Sequence, residues 1–210
     1  GYSFTDVGRY PSSYGSLTQA GNGKLYGVTS QGGNNNYGTI YSLDPTTNIQ
    51  TKLFDFDYST TGAFPYSSLV LAGNGKLYGV ALAGGNIGGG TIFSFDPSTN
   101  AYSKLLDLTY ANGTNIYGGL LLANNGKFYG MAYSGGTNGY GTIFSFDPST
   151  NTQTKIFDFN NTNGANPQGS LVQASNGKLY GMTYQGGSSN YGTIFSFDLS
   201  TNTQTKLLDF

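Results

Sequence analysis

Apolar residues gather in short runs along the chain, and the runs come in a fixed order. SLVLA (68–72), LYGVA (77–81), TIFSF (91–95) and SKLLDL (103–108) are separated by Gly-, Asn- and Asp-rich breaks. Runs of this length bounded by turn residues predict strands, and no helical period of apolar residues appears anywhere. GNGK joins the first two runs; Asn-Gly between apolar segments is a strong hairpin signal. DPSTN (96–100) joins the last two, with Asp placed to accept backbone hydrogen bonds and Pro presetting φ. A loop carrying a Gly pair links the second and third strands. A polar segment such as TYANGTNIYGG (109–119) leads onward.

This order recurs. NGKLYGVTSQGGNNNYGTIYSLD at 22–44 has near copies at 74–96, 125–147 and 176–198. Lys24, Lys76, Lys127 and Lys178 keep the spacing, as do Asp44, Asp96, Asp147 and Asp198. Four antiparallel strands every ~50 residues is the blade spacing of a β-propeller. One blade cannot bury both faces alone, so neighbouring blades must cover each other. The expected fold is all-β: a propeller of four-stranded antiparallel blades, four per chain, in a single domain over 1–210. The repeats fall at about 8–56, 57–108, 109–159 and 160–210. YSFTDV at 2–7 reads as an extra N-terminal strand, a degenerate copy of the fourth-strand segments LFDF, LLDL, IFDF and LLDF. Three arrangements stay open. The chain closes a four-bladed ring edged by 2–7, two chains complete a larger ring, or the chain is a piece of a longer protein.

Composition narrows the function classes. Charged residues are 9% of the chain and the net charge is −1, so no basic stripe is available for nucleic acid. Aromatics at 15% supply core. No apolar run is long enough for a membrane-spanning helix, and no signal-peptide pattern is seen, so an exported protein is expected here in mature form. His, Cys, Trp and Glu are absent, which removes imidazole bases, thiolate nucleophiles, disulfides and Cys/His metal sites. No cofactor and no metal are expected.

The remaining ionisable residues follow the repeat. Of ten Asp, four open the turn before the fourth strand. Asp55, Asp107, Asp158 and Asp209 share one place on that strand, Asp6 is the equivalent in the degenerate copy, and only Asp57 stands apart. All eight Lys occupy two repeat positions, and Arg9 is the lone unrepeated cation. Catalysis needs a distinguished pair of groups with pKa values pushed apart. A residue present in every blade serves the blade, so no catalytic residue is expected. The fourth-strand Asp is expected to satisfy donors of the interblade loop. Asp55 and Asp57 share a strand face, but calcium asks for six or more oxygens, so no metal is assigned there. The Gly pairs are not followed by a helix and read as backbone freedom at a tight bend, not as a phosphate cradle. The candidate ligand site is the loop between second and third strands. It carries Tyr37, Tyr140 and Tyr191 at one position, with Asn36, Asn138 and Asn190 beside them. Tyr faces stack on sugar C–H patches while amides fix hydroxyls; the competing reading is packing at a blade edge.

NGKLYG, a Gly pair and FDPSTNTQTKI (146–156) resemble the kelch blade, although kelch usually has Trp where this chain has Gln50, Tyr102, Gln153 and Gln204. LYGMTYQGGSSNYGTIF (179–195) and GANPQGSLVQASNGKLYG (164–181) are more similar to the bacterial tandem repeat called GloVer, over nearly the whole chain. That resemblance implies a secreted or surface-exposed bacterial protein without an assigned activity. The resulting expectation is a non-catalytic extracellular module that binds a glycan or cell-surface ligand. It does not bind nucleic acid or insert into a membrane. A homodimer through unpaired terminal strands stays open. The alternative is a purely structural or self-assembling scaffold; a polysaccharide-active enzyme ranks below both.

Overall fold

A computed structural model describes residues 13–210; the strand expected over 2–7, with Asp6 and Arg9, lies outside the described residues. The described chain is all-β and builds four sheets, each of four antiparallel strands in sequential order. The first holds β1 (Thr18–Gln19), β2 (Leu25–Thr29), β3 (Thr39–Asp44) and β4 (Ile49–Asp55). The second holds β5 (Val70–Leu71), β6 (Leu77–Ala81), β7 (Thr91–Asp96) and β8 (Ala101–Asp107). The third holds β9 (Leu121–Leu122), β10 (Phe128–Ala132), β11 (Thr142–Asp147) and β12 (Thr152–Asp158). The fourth holds β13 (Val172–Gln173), β14 (Leu179–Met182), β15 (Thr193–Asp198) and β16 (Thr203–Asp209). This is the strand order of propeller blades. No helix among the described residues is long and apolar enough to cross a membrane.

The blades fall into two compact units, one ending at Asp107 and the other running from Leu108 to Phe210. In the first, Tyr26, Val28, Ile40 and Phe56 of one blade pack on Leu69, Leu77, Phe93 and Phe95 of the next. Strand alternation sorts these sets: one face of a blade presents Tyr26 and Val28 onward, the opposite face of its successor presents Leu77, Phe93 and Phe95 back. We call these the forward and rear faces. The second unit repeats the arrangement with Tyr129, Met131, Ile143 and Phe159 against Leu171, Leu179, Phe195 and Phe197. The aromatic contacts are edge-on, with Phe56–Phe93 centroids at 5.2 Å and Phe159–Phe195 at 5.4 Å. Strands β6 and β7 are buried on both faces, which is why their sequence is apolar almost throughout.

The Asn-Gly hairpins form as expected, and their Asn does two things. Asn74 Oδ1 accepts the Lys76 N–H at 3.1 Å, and Asn74 Nδ2 donates to the Tyr78 hydroxyl at 2.9 Å. The same clamp joins Asn22 to Tyr26, Asn125 to Tyr129 and Asn176 to Tyr180. This gives the buried Tyr of LYG a partner for its hydroxyl. In the DPST turns Asp96 Oδ1 accepts both the N–H and the hydroxyl of Ser98, at 2.9 and 2.6 Å.

Two features differ from the sequence expectation. The first strand of each blade pairs over only two residues, not over the full SLVLA run. First strands of paired blades lie side by side, and the neighbour takes their polar groups. The Ser16 N–H donates to Ser68 Oγ at 2.7 Å, Thr18 Oγ1 to the Leu69 carbonyl at 2.6 Å, and the Gly119 N–H to Ser170 Oγ at 2.8 Å. Each third–fourth strand pair also carries a bulge, after Ile40, Ile92, Ile143 and Ile194. The extra residue flips the alternation, so side chains three apart on the fourth strand meet. Lys52 reaches Asp55 at 2.9 Å, and Lys104, Lys155 and Lys206 reach Asp107, Asp158 and Asp209 at 2.9, 2.7 and 2.8 Å.

Candidate functional site

The loop between second and third strands is held by the fourth-strand Asp of its own blade. Asp55 Oδ1 accepts the Asn34 N–H at 3.0 Å, Asp107 that of Asn86 at 3.0 Å, and Asp158 that of Thr137 at 2.9 Å. In the last blade Asp209 accepts from Ser188 at 3.3 Å. The expectation that these carboxylates serve the interblade loop is therefore corrected: they reach back within the blade, because the bulge turns them there. The interblade segment binds the Gly pair instead. The carbonyls of Tyr58, Tyr110 and Asn161 accept the N–H groups of Gly85, Gly136 and Gly187 at 2.7, 2.8 and 2.7 Å. A Cβ on any of the second glycines would strike the Asp Oδ1, so only Gly fits between carboxylate and loop.

The candidate amides brace this loop. Asn36 and Asn190 adopt left-handed backbone, with φ of 60° and 61°, and their Oδ1 atoms accept the N–H of Gly32 and Gly186 at 3.1 and 3.0 Å. Asn138 plays another part: its Nδ2 donates to the Phe159 carbonyl at 3.0 Å, as Asn35 does to Phe56 at 3.1 Å. Asn138 is thus the counterpart of Asn35, as its place two residues before Tyr140 dictates, and Gly139, with φ of 77°, takes the left-handed position of Asn36. Each of the three amides has one polar atom committed to backbone.

The three tyrosines differ in exposure. Tyr37 is half-buried, edge-on to Phe64 at 5.6 Å and tilted against Tyr58 at 5.6 Å. Tyr140 is 41% exposed and Tyr191 76%. Tyr58 and Tyr110, at the start of the interblade segments, are also exposed. The Tyr110 hydroxyl lies over Gly139, next to Tyr140 in sequence. In the second unit a cavity of about 410 Å³ opens beside Tyr191, lined also by Gln168, Met182, Tyr184, Asn190 and Phe210. Sequence reasoning did not find Met182 or Phe210, whose equivalents in other blades are ordinary core positions, or Tyr184, whose equivalents Ser30, Leu82 and Tyr133 share no common character.

Several carboxylates are held below their ordinary range. Asp198 is held down to about 2, first by the Ser200 hydroxyl and then by the Ser200 N–H and Lys178. Asp44, Asp96 and Asp147 are lowered by the hydroxyls of Thr46, Ser98 and Ser149. Asp57 is lowered by the hydroxyls of Ser59 and Thr60, which donate to its Oδ1 at 2.7 and 2.9 Å. Asp55 and Asp57 therefore point to separate donor sets, and Asp57 lies beyond the end of β4.

A family model described as the Gloeobacter/Verrucomicrobia repeat matches residues 13–210. No curated protein matches the chain. Among solved structures, the extracellular domain of BT4673 from B. thetaiotaomicron, described as a one-component or a hybrid two-component system, is 14% identical with a TM-score of 0.65, over 96% of this chain and 23% of that one. The extracellular domain of the hybrid two-component system BT3049 from B. thetaiotaomicron is 19% identical with a TM-score of 0.55, over 93% and 22%. TolB from Acinetobacter baumannii is 15% identical with a TM-score of 0.58, over 91% and 42%. The likeness is one of fold, and the chain spans less than half the length of each of these proteins.

Proposed function

We propose that this chain, which belongs to the Gloeobacter/Verrucomicrobia repeat family, is a non-catalytic binding module displayed outside the cell. It recognises a hydroxyl-rich ligand, a glycan or a glycan-bearing surface partner, through the loops between second and third strands. The observation that carries this reading is the placement of exposed tyrosines on braced loops: Tyr140 and Tyr191 stand out from backbone fixed by an Asp below and an Asn beside it. Rigid loops lose little entropy on binding, and a Tyr face offers apolar area with a hydroxyl at its edge. Tyr110, whose hydroxyl overlies Gly139, extends the surface around Tyr140. Repetition of weak sites supplies avidity. The non-catalytic part rests on the carboxylates: those with resolved shifts, including Asp57, are pushed toward the ionised form, the opposite of what a general acid needs near neutral pH. The extracellular setting draws on the fold shared with the extracellular domains of BT4673 and BT3049.

A glycan array probed with the purified protein tests the reading. Binding is expected, and Tyr140→Ala combined with Tyr110→Ala should weaken it about tenfold while leaving the melting temperature unchanged, since both rings are exposed. An empty array, or hits indifferent to the double change, would overturn the proposal.

A further inference from the structure

The interblade segments inside the two units follow the same path but carry different chemistry. In each, backbone bonds sew the segment to the loops on either side. The Phe64 N–H donates to the Tyr37 carbonyl at 2.9 Å, the Phe64 carbonyl accepts the Leu82 N–H at 3.2 Å, and Pro65 lies against Gly38. In the second unit the Asn166 N–H donates to the Tyr140 carbonyl at 2.8 Å, the Asn166 carbonyl accepts the Tyr184 N–H at 3.3 Å, and Pro167 lies against Gly141. On this shared frame Asp57, Tyr58, Phe64 and Tyr66 stand where the second unit has Asn160, Asn161, Asn166 and Gln168. One seam is aromatic and acidic, and the other is built of amides.

The fold does not ask for the rings. Phe64 sits in left-handed backbone, with φ of 57°, and Asn166 holds the same conformation at 52°. Asn tolerates that region and a bulky side chain does not. Asn166 also gains a bond there, its Nδ2 donating to the Tyr133 carbonyl at 3.0 Å. Phe64 gives up both advantages and sets its ring edge-on to Tyr37 at 5.6 Å. Tyr58 meets the same Tyr37 at 5.6 Å, and Tyr66 lies tilted against Tyr14 at 4.9 Å. Tyr37, Phe64 and Tyr66 are half-buried and Tyr58 is exposed, so the cluster keeps part of its surface open. A disfavoured backbone kept for a ring outside the core points to function.

Asp57 supplies a polar group at the same seam. Every other described Asp pairs with a Lys or has one nearby. Asp57 has only hydroxyl and N–H donors: Ser59 and Thr60 give all four of their bonds to Oδ1. Among the described residues no donor reaches its Oδ2, which stays available as an acceptor.

We infer that the seam between the first and second blades is the chain's principal sugar-stacking subsite, and that it selects neutral glycans. The apolar faces of saccharide rings lie on Tyr58, Tyr37, Phe64 and Tyr66, and Asp57 accepts their hydroxyls. A uronic acid or sulfate at this seam meets a carboxylate that no lysine offsets, so acidic sugars are repelled. The inference rests on the glycan reading above and names the place and the ligand class within it.

An array of neutral oligosaccharides of glucose, mannose, xylose and N-acetylglucosamine, with oligogalacturonates beside them, tests it on the whole 210-residue chain. The native chain should bind neutral members and leave the galacturonates. Calorimetric titration of a hit then compares the native chain with the exchange Tyr58→Asn, Phe64→Asn, Tyr66→Gln, which copies the second unit's seam. The exchange should weaken binding about a hundredfold, and Tyr58→Asn alone about tenfold, with melting temperatures near the native value. An exchange variant that binds as the native chain does would overturn this inference and leave the glycan reading standing. So would a markedly lower melting temperature for Tyr58→Asn, which would make that ring core. Equal binding of galacturonates would overturn the neutral selectivity. An array with no hit would overturn the glycan reading and this inference together.

Discussion

Replacing Gly85 by Ala and, separately, Gly88 by Ala measures how firmly the loop between β6 and β7 is held by Asp107. The two glycines have nearly the same backbone, φ of 78° and 80°. A Cβ on Gly88 meets open space, whereas on Gly85 it collides with Asp107 Oδ1 and comes within 2.8 Å of Thr91 Cγ2. Forcing Ala into left-handed backbone costs about 1 kcal/mol at either site. Gly85→Ala must also displace the carboxylate from the Asn86 N–H, which it accepts at 3.0 Å. A hydrogen bond to a charged group contributes about 1.5–3 kcal/mol. The Lys104 pair at 2.9 Å is partly buried at the protein surface and adds about 1 kcal/mol at most. Gly85→Ala should therefore cost about 3–4 kcal/mol and Gly88→Ala about 1 kcal/mol. Urea unfolding followed by circular dichroism and tyrosine fluorescence reads this, the chain having no Trp. With a slope of about 2 kcal/mol/M the midpoints fall by roughly 1.5–2 M and 0.5 M. Adding Asp107→Ala to Gly85→Ala removes the collision, so the double change should cost less than the sum of the two single ones. Equal losses for Gly85→Ala and Gly88→Ala, within about 0.5 kcal/mol, would refute the carboxylate seat.

Further predictions concern the turns and the core. The turn carboxylates are more acidic folded than unfolded, so their contribution is present above the ordinary value of 3.8 and is lost as pH falls toward the folded value, about 2 for Asp198. The melting temperature should hold at neutral pH and drop between about pH 4 and 2, and Asp198→Asn should flatten part of that drop; an unchanged acid profile in the variant would count against the turn assignment. Tyr102→Phe keeps the ring stacked on Phe54 at 4.0 Å but removes the hydroxyl that donates to the Thr61 carbonyl at 2.6 Å. Because Thr91 Oγ1 still serves that carbonyl at 2.9 Å, the loss should be about 1 kcal/mol by denaturant titration, and a loss above about 3 kcal/mol would contradict this. Asn125→Ala unclamps the Tyr129 hydroxyl and the Lys127 N–H together and should cost about 1–2 kcal/mol, with no effect meaning that the clamp is ornamental to folding.

Local chemistry made much of this legible before any coordinates. Asn-Gly and Asp-Pro fix turns through a few adjacent residues, and alternation of apolar residues fixes which strand faces are buried, so blade number and strand order could be read from residues 13–210. The candidate loop was legible as a place but less so as a site. The repeat register separates Asn138, two residues before its Tyr, from Asn36, one before, but which carbonyl or N–H each amide meets is set by the folded loop. The partner of the fourth-strand Asp depended on a bulge that no residue announces. Above all, Val28, Met131 and Met182 are interchangeable in sequence, and so are Leu17, Leu69 and Leu171. Whether such a residue is core or surface is decided by the neighbour that covers it. That is a property of the blade beyond, which periodicity along one blade does not contain.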